Sequence, residues 1–149
     1  MVSFPGRDAG LSARDDRGSP GRSDPFRRSL REHDRLGGHT VSRHVGKSRS
    51  WLKRRLRRSR RIRAASSFRN YRVAQKVVHK TLRKNKRRIR RWLKNARPRA
   101  RLALRYRGGK VIGYGIRRGS RRFRDLKKAR VILRALNRRD FIVLTAYPN

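Results

Sequence analysis

Proton transfer near neutral pH falls first to histidine, the one side chain whose unperturbed pKa lies there. The chain has four: His33, His39, His44 and His79. His39 and His44 stand close together in Gly37-Gly38-His39-Thr40-Val41-Ser42-Arg43-His44-Val45-Gly46-Lys47-Ser48. Positive neighbours lower the pKa of an imidazole and keep it neutral, so it can accept a proton. The competing reading is a structural histidine that braces the turn. At the far end of the chain, strand alternation over Phe141–Tyr147 places Phe141, Val143, Thr145 and Tyr147 on one face, with Ile142, Leu144 and Ala146 on the other. Two hydroxyls thereby share a face at the end of an apolar strand, a position that also suits amphipathic rim residues.

The chemistry is narrowed further by what is missing. The 149 residues carry 48 Lys and Arg against 8 Asp and Glu, a net charge of +40, and no cysteine. Beyond Asp34 the only acids are Asp125 and Asp140. Two-metal hydrolysis and paired-carboxylate catalysis both need convergent acids. Thiolate chemistry and cysteine-based zinc sites are excluded outright. Catalysis therefore falls to His, Arg, Lys, Tyr, Thr or Ser, and neither a metal nor another cofactor is expected. The charge calls for a polyanionic partner, with nucleic acid first, because neutralised phosphates release condensed counterions. No run reaches 18 apolar residues, so no membrane insertion is expected. The segment Met1–Asp15 has no apolar core of the kind a secretory signal carries.

These residues need elements to hold them. Residues 1–35 are rich in Gly, Ser, Pro, Asp and Arg without hydrophobic period, and read as a disordered tail or linker remnant that includes His33. The composition shifts at Leu36-Gly37-Gly38, which places one domain over residues 36–149. Thr40 is the expected cap of a short turn through His44, and Ser48 that of a helix with Trp51, Leu52 and Leu56 inward. Ala64–Phe68 reads as extended. A long helix follows from Tyr71, striped by Val73, Ala74, Val77, Val78, Thr81 and Leu82 and continued by Ile89, Trp92 and Leu93, with a bend at Asn85. His79, beside Val78, is given no role. From Leu102 the period changes to two, and Gly108-Gly109 predicts a hairpin into Val111–Ile116. Val131–Leu136 and Phe141–Tyr147 complete the strands. Helices first and an antiparallel sheet afterwards give an α+β fold.

Five pieces in order carry a resemblance: Gly38-His39-Thr40, His44-Val45-Gly46-Lys47, Trp51-Leu52-Lys53-Arg54-Arg55-Leu56, Ala65-Ser66-Ser67-Phe68 and Leu144-Thr145-Ala146-Tyr147-Pro148. Together they resemble the bacterial ribonuclease A-like domain at the C-termini of contact-dependent inhibition and other polymorphic toxins, over about Leu36 to Pro148. The resemblance implies a metal-independent, disulfide-free ribonuclease with N-terminal helices packed on a C-terminal antiparallel sheet. It implies His44, Arg55, Thr145 and Tyr147 as catalytic residues. His39, Lys47, Arg54 and Ser67 are the expected substrate-binding residues, with Arg54 also close enough to compete for the role of Arg55. Further expectations are an RNA substrate cut by its own 2′-OH, an acidic immunity protein as partner, a monomeric state, and delivery into a target cell by machinery this chain does not encode. Composition alone favours a different reading, a non-catalytic basic RNA-binding protein of ribosomal or nucleoid type, since Arg-Arg runs are usually solvated phosphate-binding faces.

Overall fold

The computed structural model describes residues 23–149. Three helices lead, α1 (Leu30–Arg35), α2 (Thr40–His44) and α3 (Arg49–Arg58), followed by strand β1 (Ala64–Phe68) and helices α4 (Tyr71–Lys84) and α5 (Lys86–Asn95). Five strands close the chain: β2 (Arg101–Arg107), β3 (Gly113–Arg117), β4 (Arg124–Leu126), β5 (Lys128–Ala135) and β6 (Phe141–Pro148). The α+β class is as the change of hydrophobic period implied.

The strands form two three-stranded antiparallel sheets, ordered β1-β3-β4 and β2-β5-β6. The hairpin expected across Gly108-Gly109 does not form. β2 pairs with β5, while β3 crosses to the other sheet and pairs with β1 and β4. A Cβ at Gly113 would lie 2.2 Å from the Ser67 carbonyl oxygen and 2.8 Å from Pro148 Cγ. The bare Cα is what lets β3 lie against β1 and the end of β6 together.

The helices follow their local signals with two changes. The Ser48 hydroxyl accepts from Trp51 N–H and starts α3, whose Leu52 and Leu56 pack on Ala65 and Ile116 in a small core. Thr40, however, is the first residue of α2 and not its cap. The Asp34 carboxylate takes the Thr40 and Val41 N–H groups, each at 2.9 Å. The long helix is two helices: Asn85 ends α4, its amide donating to the Thr81 carbonyl, and α5 starts afresh. The main core unites Val78, Leu82, Ile89, Leu104, Leu133 and Phe141 from both helices and from the second sheet.

Ordered structure begins before Leu36, where the composition shifts. A capping box between Ser29 and Glu32 opens α1, and Leu30 and His33 are fully buried. The reason is the free edge of β6, whose outward backbone groups need partners. Arg28 donates to the Phe141 carbonyl at 2.8 Å, Val143 N–H donates to His33 Nδ1 at 3.0 Å, and His39 N–H donates to the Leu144 carbonyl at 2.9 Å. The described part of the supposed tail, including His33, is thus a seal on the sheet. The rest of that segment lies outside the described residues.

Arg28 is itself buried, with Asp140 at 2.8 Å as its ion-pair partner. Removing one member of a buried pair strands the other charge. Asp140→Ala is therefore expected to destabilise the fold by about 3–5 kcal/mol in urea unfolding, well beyond the loss from truncating an exposed carboxylate.

Candidate active site

The two sheets meet where β1 and β6 come together, and a cavity of about 540 Å³ opens beside that junction. His39, Arg43, His44, Arg55, Thr145 and Tyr147 all line it. The four expected catalytic side chains, brought in by α2, α3 and β6, thus reach one space from positions up to 103 residues apart.

A bulge decides how β6 contributes. Leu133 pairs with Val143 and Ile132 with Thr145, leaving Leu144 as the extra residue. Beyond it the parity of the strand reverses. Phe141 and Val143 oppose Ala135 and Leu133 on the buried face, whereas Thr145 and Tyr147 oppose Ile132 and Arg130 on the other. The sequence expectation that all four share one face is therefore wrong. The hydroxyl pair stays together but turns from the core into the cavity. The Thr145 Oγ1 is buried there without a protein partner.

His44 is placed by the edge of β1. The loop after α2 runs beside this strand, with Gly46 N–H on the Phe68 carbonyl and a parallel bridge from Val45 to Phe68. The Ser66 carbonyl lies 3.2 Å from His44 Nδ1. A carbonyl only accepts, so Nδ1 carries the proton and Nε2 keeps its lone pair. Burial pushes the imidazole down to about 4 against the opposing effect of the Ser66 bond, with the charges of Arg55 and Arg43 lowering it further. The ring is neutral at pH 7, the state a general base requires, and stands 5.4 Å from the Tyr147 ring, centroid to centroid.

Arg55 lies on the α3 face that carries Leu52 and Leu56, so it is half-buried toward the cavity while Arg54, Arg57 and Arg58 are exposed. Desolvation and the charge of Arg43 lower its pKa. Among the described residues the ion pairs are Arg27–Asp24 and Arg28–Asp140, so no described Asp or Glu pairs with Arg43 or Arg55. Two uncompensated guanidiniums beside a neutral base form a site for an anion. No group of three or more His, Asp or Glu side chains among the described residues is arranged to hold a metal ion.

The expected substrate-binding residues divide. His39 lines the cavity, and burial together with Arg43 lowers its pKa. Arg54 lines an adjoining groove with Arg43, Trp51 and Arg58. Lys47 lies outside the cavity, its ammonium over the Trp51 ring at 4.9 Å. Ser67 is fully buried and does not line the cavity, its hydroxyl donating to the Phe68 carbonyl and accepting from Lys47 N–H. The neighbouring serine is the one at the site. Ser66 holds His44 through its carbonyl and donates its hydroxyl to the Pro148 carbonyl at 2.6 Å, tying β1 to β6. Sequence reasoning also missed Arg43, Arg63, Arg117 and Arg124, which border the cavity, because the β1–β3–β4 pairing that gathers three of them leaves no local signal.

The cavity is thus lined by no described Asp or Glu side chain and gathers a neutral histidine and several arginines at the junction of two sheets of a disulfide-free α+β domain. Residues 38–148 match the family described as the bacterial CdiA-CT RNAse A domain, and the chain belongs to that family of ribonuclease toxin domains of contact-dependent inhibition. The protein in the crystal structure of a CdiA-CT/CdiI complex from Y. kristensenii 33638 is similar to it, at 28% identity with a TM-score of 0.66. That alignment covers 75% of this chain and 99% of the other. No curated protein matches.

The buried histidines fix an acid response. Burial, assisted by Arg28, lowers His33 to about 3. Each folded ring holds fewer protons than its unfolded counterpart, so stability is fully present above about pH 6.5 and declines as acid is added. The loss is about 1.4 kcal/mol per pH unit for each ring, ending near pH 4 for His44 and near pH 3 for His33. Proton NMR should show both Cε1 signals in the neutral position at pH 6; a ring that titrates near 6.5 would contradict its burial.

Proposed function

We propose that the chain is a metal-independent endoribonuclease that uses the ribose 2′-OH of its substrate as nucleophile. The observation that carries this reading is His44, neutral, with Nδ1 committed to Ser66 and Nε2 free, beside two guanidiniums that no described Asp or Glu pairs with. His44 Nε2 takes the proton of the 2′-OH as its oxygen attacks phosphorus. Arg55, with Arg43 behind it, binds the phosphate oxygens and stabilises their growing charge. The P–O5′ bond breaks, and the Tyr147 hydroxyl supplies the proton to the departing 5′-oxygen. Thr145 Oγ1, unpartnered in the protein, orients the phosphate or a base edge. The product is a 2′,3′-cyclic phosphate, and DNA binds without being cut.

The partner reading rests on the likeness to the CdiA-CT protein seen in complex with CdiI. We infer an acidic immunity protein that covers the cleft, and delivery of the toxin domain into a target cell. The charge of this chain favours fast, electrostatically steered association with such a protein.

In excess EDTA, the wild type should cleave a labelled RNA oligonucleotide to 2′,3′-cyclic ends. His44→Ala and Arg55→Ala should each lose at least about 100-fold in rate. Tight binding by all three proteins with no cleavage would leave a basic RNA-binding protein instead, and full activity in His44→Ala would remove the base from the scheme.

A further inference from the structure

Helix α5 carries a concentration of charge that the cleft does not account for. Residues 83–99 contain ten Lys and Arg and no Asp or Glu. Within α5, Lys86, Arg87, Arg88, Arg90, Arg91 and Lys94 are all exposed, while Ile89 and Leu93 alone are buried. Arg87 stands three and four residues from Arg90 and Arg91, and Lys94 three and four from Arg91 and Arg90, spacings at which like charges face each other and each pair weakens a helix. No described carboxylate pairs with them. The side chains of Lys86 and Arg90 do lie over the Phe26 ring, at 5.3 and 5.8 Å, but an aromatic face offsets little of a charge of this size.

The position of the helix separates it from catalysis. Ile89 and Leu93 anchor α5 in the main core, with Trp92, Ala96 and Leu102 packed at its margin. The cavity opens instead at the β1–β6 junction, and none of its lining residues belongs to α4 or α5. Lys86 and Arg90 lie over Phe26, whose ring packs on Phe141 at the start of β6, whereas the cavity takes Thr145 and Tyr147 from the other end of that strand, four to six residues or about 13–20 Å along it. A substrate of two nucleotides therefore occupies the cleft without reaching α5.

Resting on the ribonuclease reading above, we propose that α5 is a second RNA-binding surface, specific to the backbone of double-helical RNA, which docks a structured substrate while an unpaired segment enters the cleft. The choice of duplex comes from the composition of the surface. Single strands are held by aromatic platforms on which bases stack. Here the one aromatic of α5, Trp92, is half-buried against the core, so the surface offers charge and no stacking. A-form duplexes are recognised through shape and phosphates, and ten residues of helix give a basic rod of about 15 Å to lie along them.

The test replaces Arg87, Arg90, Arg91 and Lys94 together by Gln in the full chain. These side chains are exposed and mutually repulsive, so the thermal midpoint should not fall. Two substrates are compared: a dinucleoside monophosphate, and a hairpin RNA with a twelve-base-pair stem. The variant should cut the dinucleoside monophosphate within twofold of the wild type, while KM for the hairpin rises at least about tenfold. The slope of log affinity against log salt for the hairpin should become shallower by about 3.6, the duplex value for four lost phosphate contacts. Equal effects on both substrates, or an unchanged hairpin KM, would overturn the proposal. Should the wild type cut neither RNA, the ribonuclease reading fails while hairpin affinity and salt slope still decide the surface: a drop in both supports it and no change overturns it. Loss of binding to phosphatidylserine vesicles with hairpin affinity intact would assign the helix to a membrane surface instead and overturn the duplex proposal.

Discussion

Everything at the cleft depends on covering two free strand edges. β1 and β6 each lie at the border of their sheet, and backbone groups exposed there must find partners. The N-terminal helical segment supplies them in order: Arg28, His33 and His39 along β6, then His44 and Gly46 along β1. The proposed general base is thus one of the groups that seal the fold. Its tautomer is set by the same hydrogen bond that closes the edge, so structure and chemistry at His44 share one contact.

The Leu144 bulge is the complementary device. An extra residue in an edge strand reverses its parity and re-aims the side chains beyond it. Without it, Thr145 and Tyr147 would face the same way as Phe141 and Val143, which are buried in the main core. The bulge carbonyl accepts the His39 N–H, and a Cβ at Gly38 would lie 2.4 Å from the Val143 carbonyl. The glycine before His39 therefore allows the close approach that fixes both histidine loop and bulge. Ser66 completes the junction by binding β6 with its hydroxyl and His44 with its carbonyl.

This division of labour explains which features were legible in the sequence. Helix α3, strand β1 and the α+β order come from local caps and from the change of period, and those signals sit within a few residues of what they determine. The order of five short motifs pointed to the family, and the structure brings His44, Arg55, Thr145 and Tyr147 to one cavity. The failures involve long-range pairing. Alternation along β6 cannot reveal a bulge whose partner is Ile132–Leu133, and a Gly-Gly turn cannot show that β3 leaves for another sheet. Segment 23–35 looked like a tail because its role lies in the edge it covers. Ser66 and Ser67 are indistinguishable by type, and only the alternation of β1 against its partners tells which one meets the cavity.

The charge of the chain fits the same account. No described Asp or Glu side chain lines the cleft, and in the proposed scheme the substrate phosphate balances its guanidiniums. The central claim is that the substrate brings the nucleophile and His44 only removes its proton. The direct measurement is cleavage of one RNA oligonucleotide against a copy with a single 2′-deoxyribose at the scissile position, with binding followed in parallel. The account predicts equal binding and no cleavage at the substituted position. Cleavage that persists there would mean that another nucleophile, such as water, attacks the phosphorus.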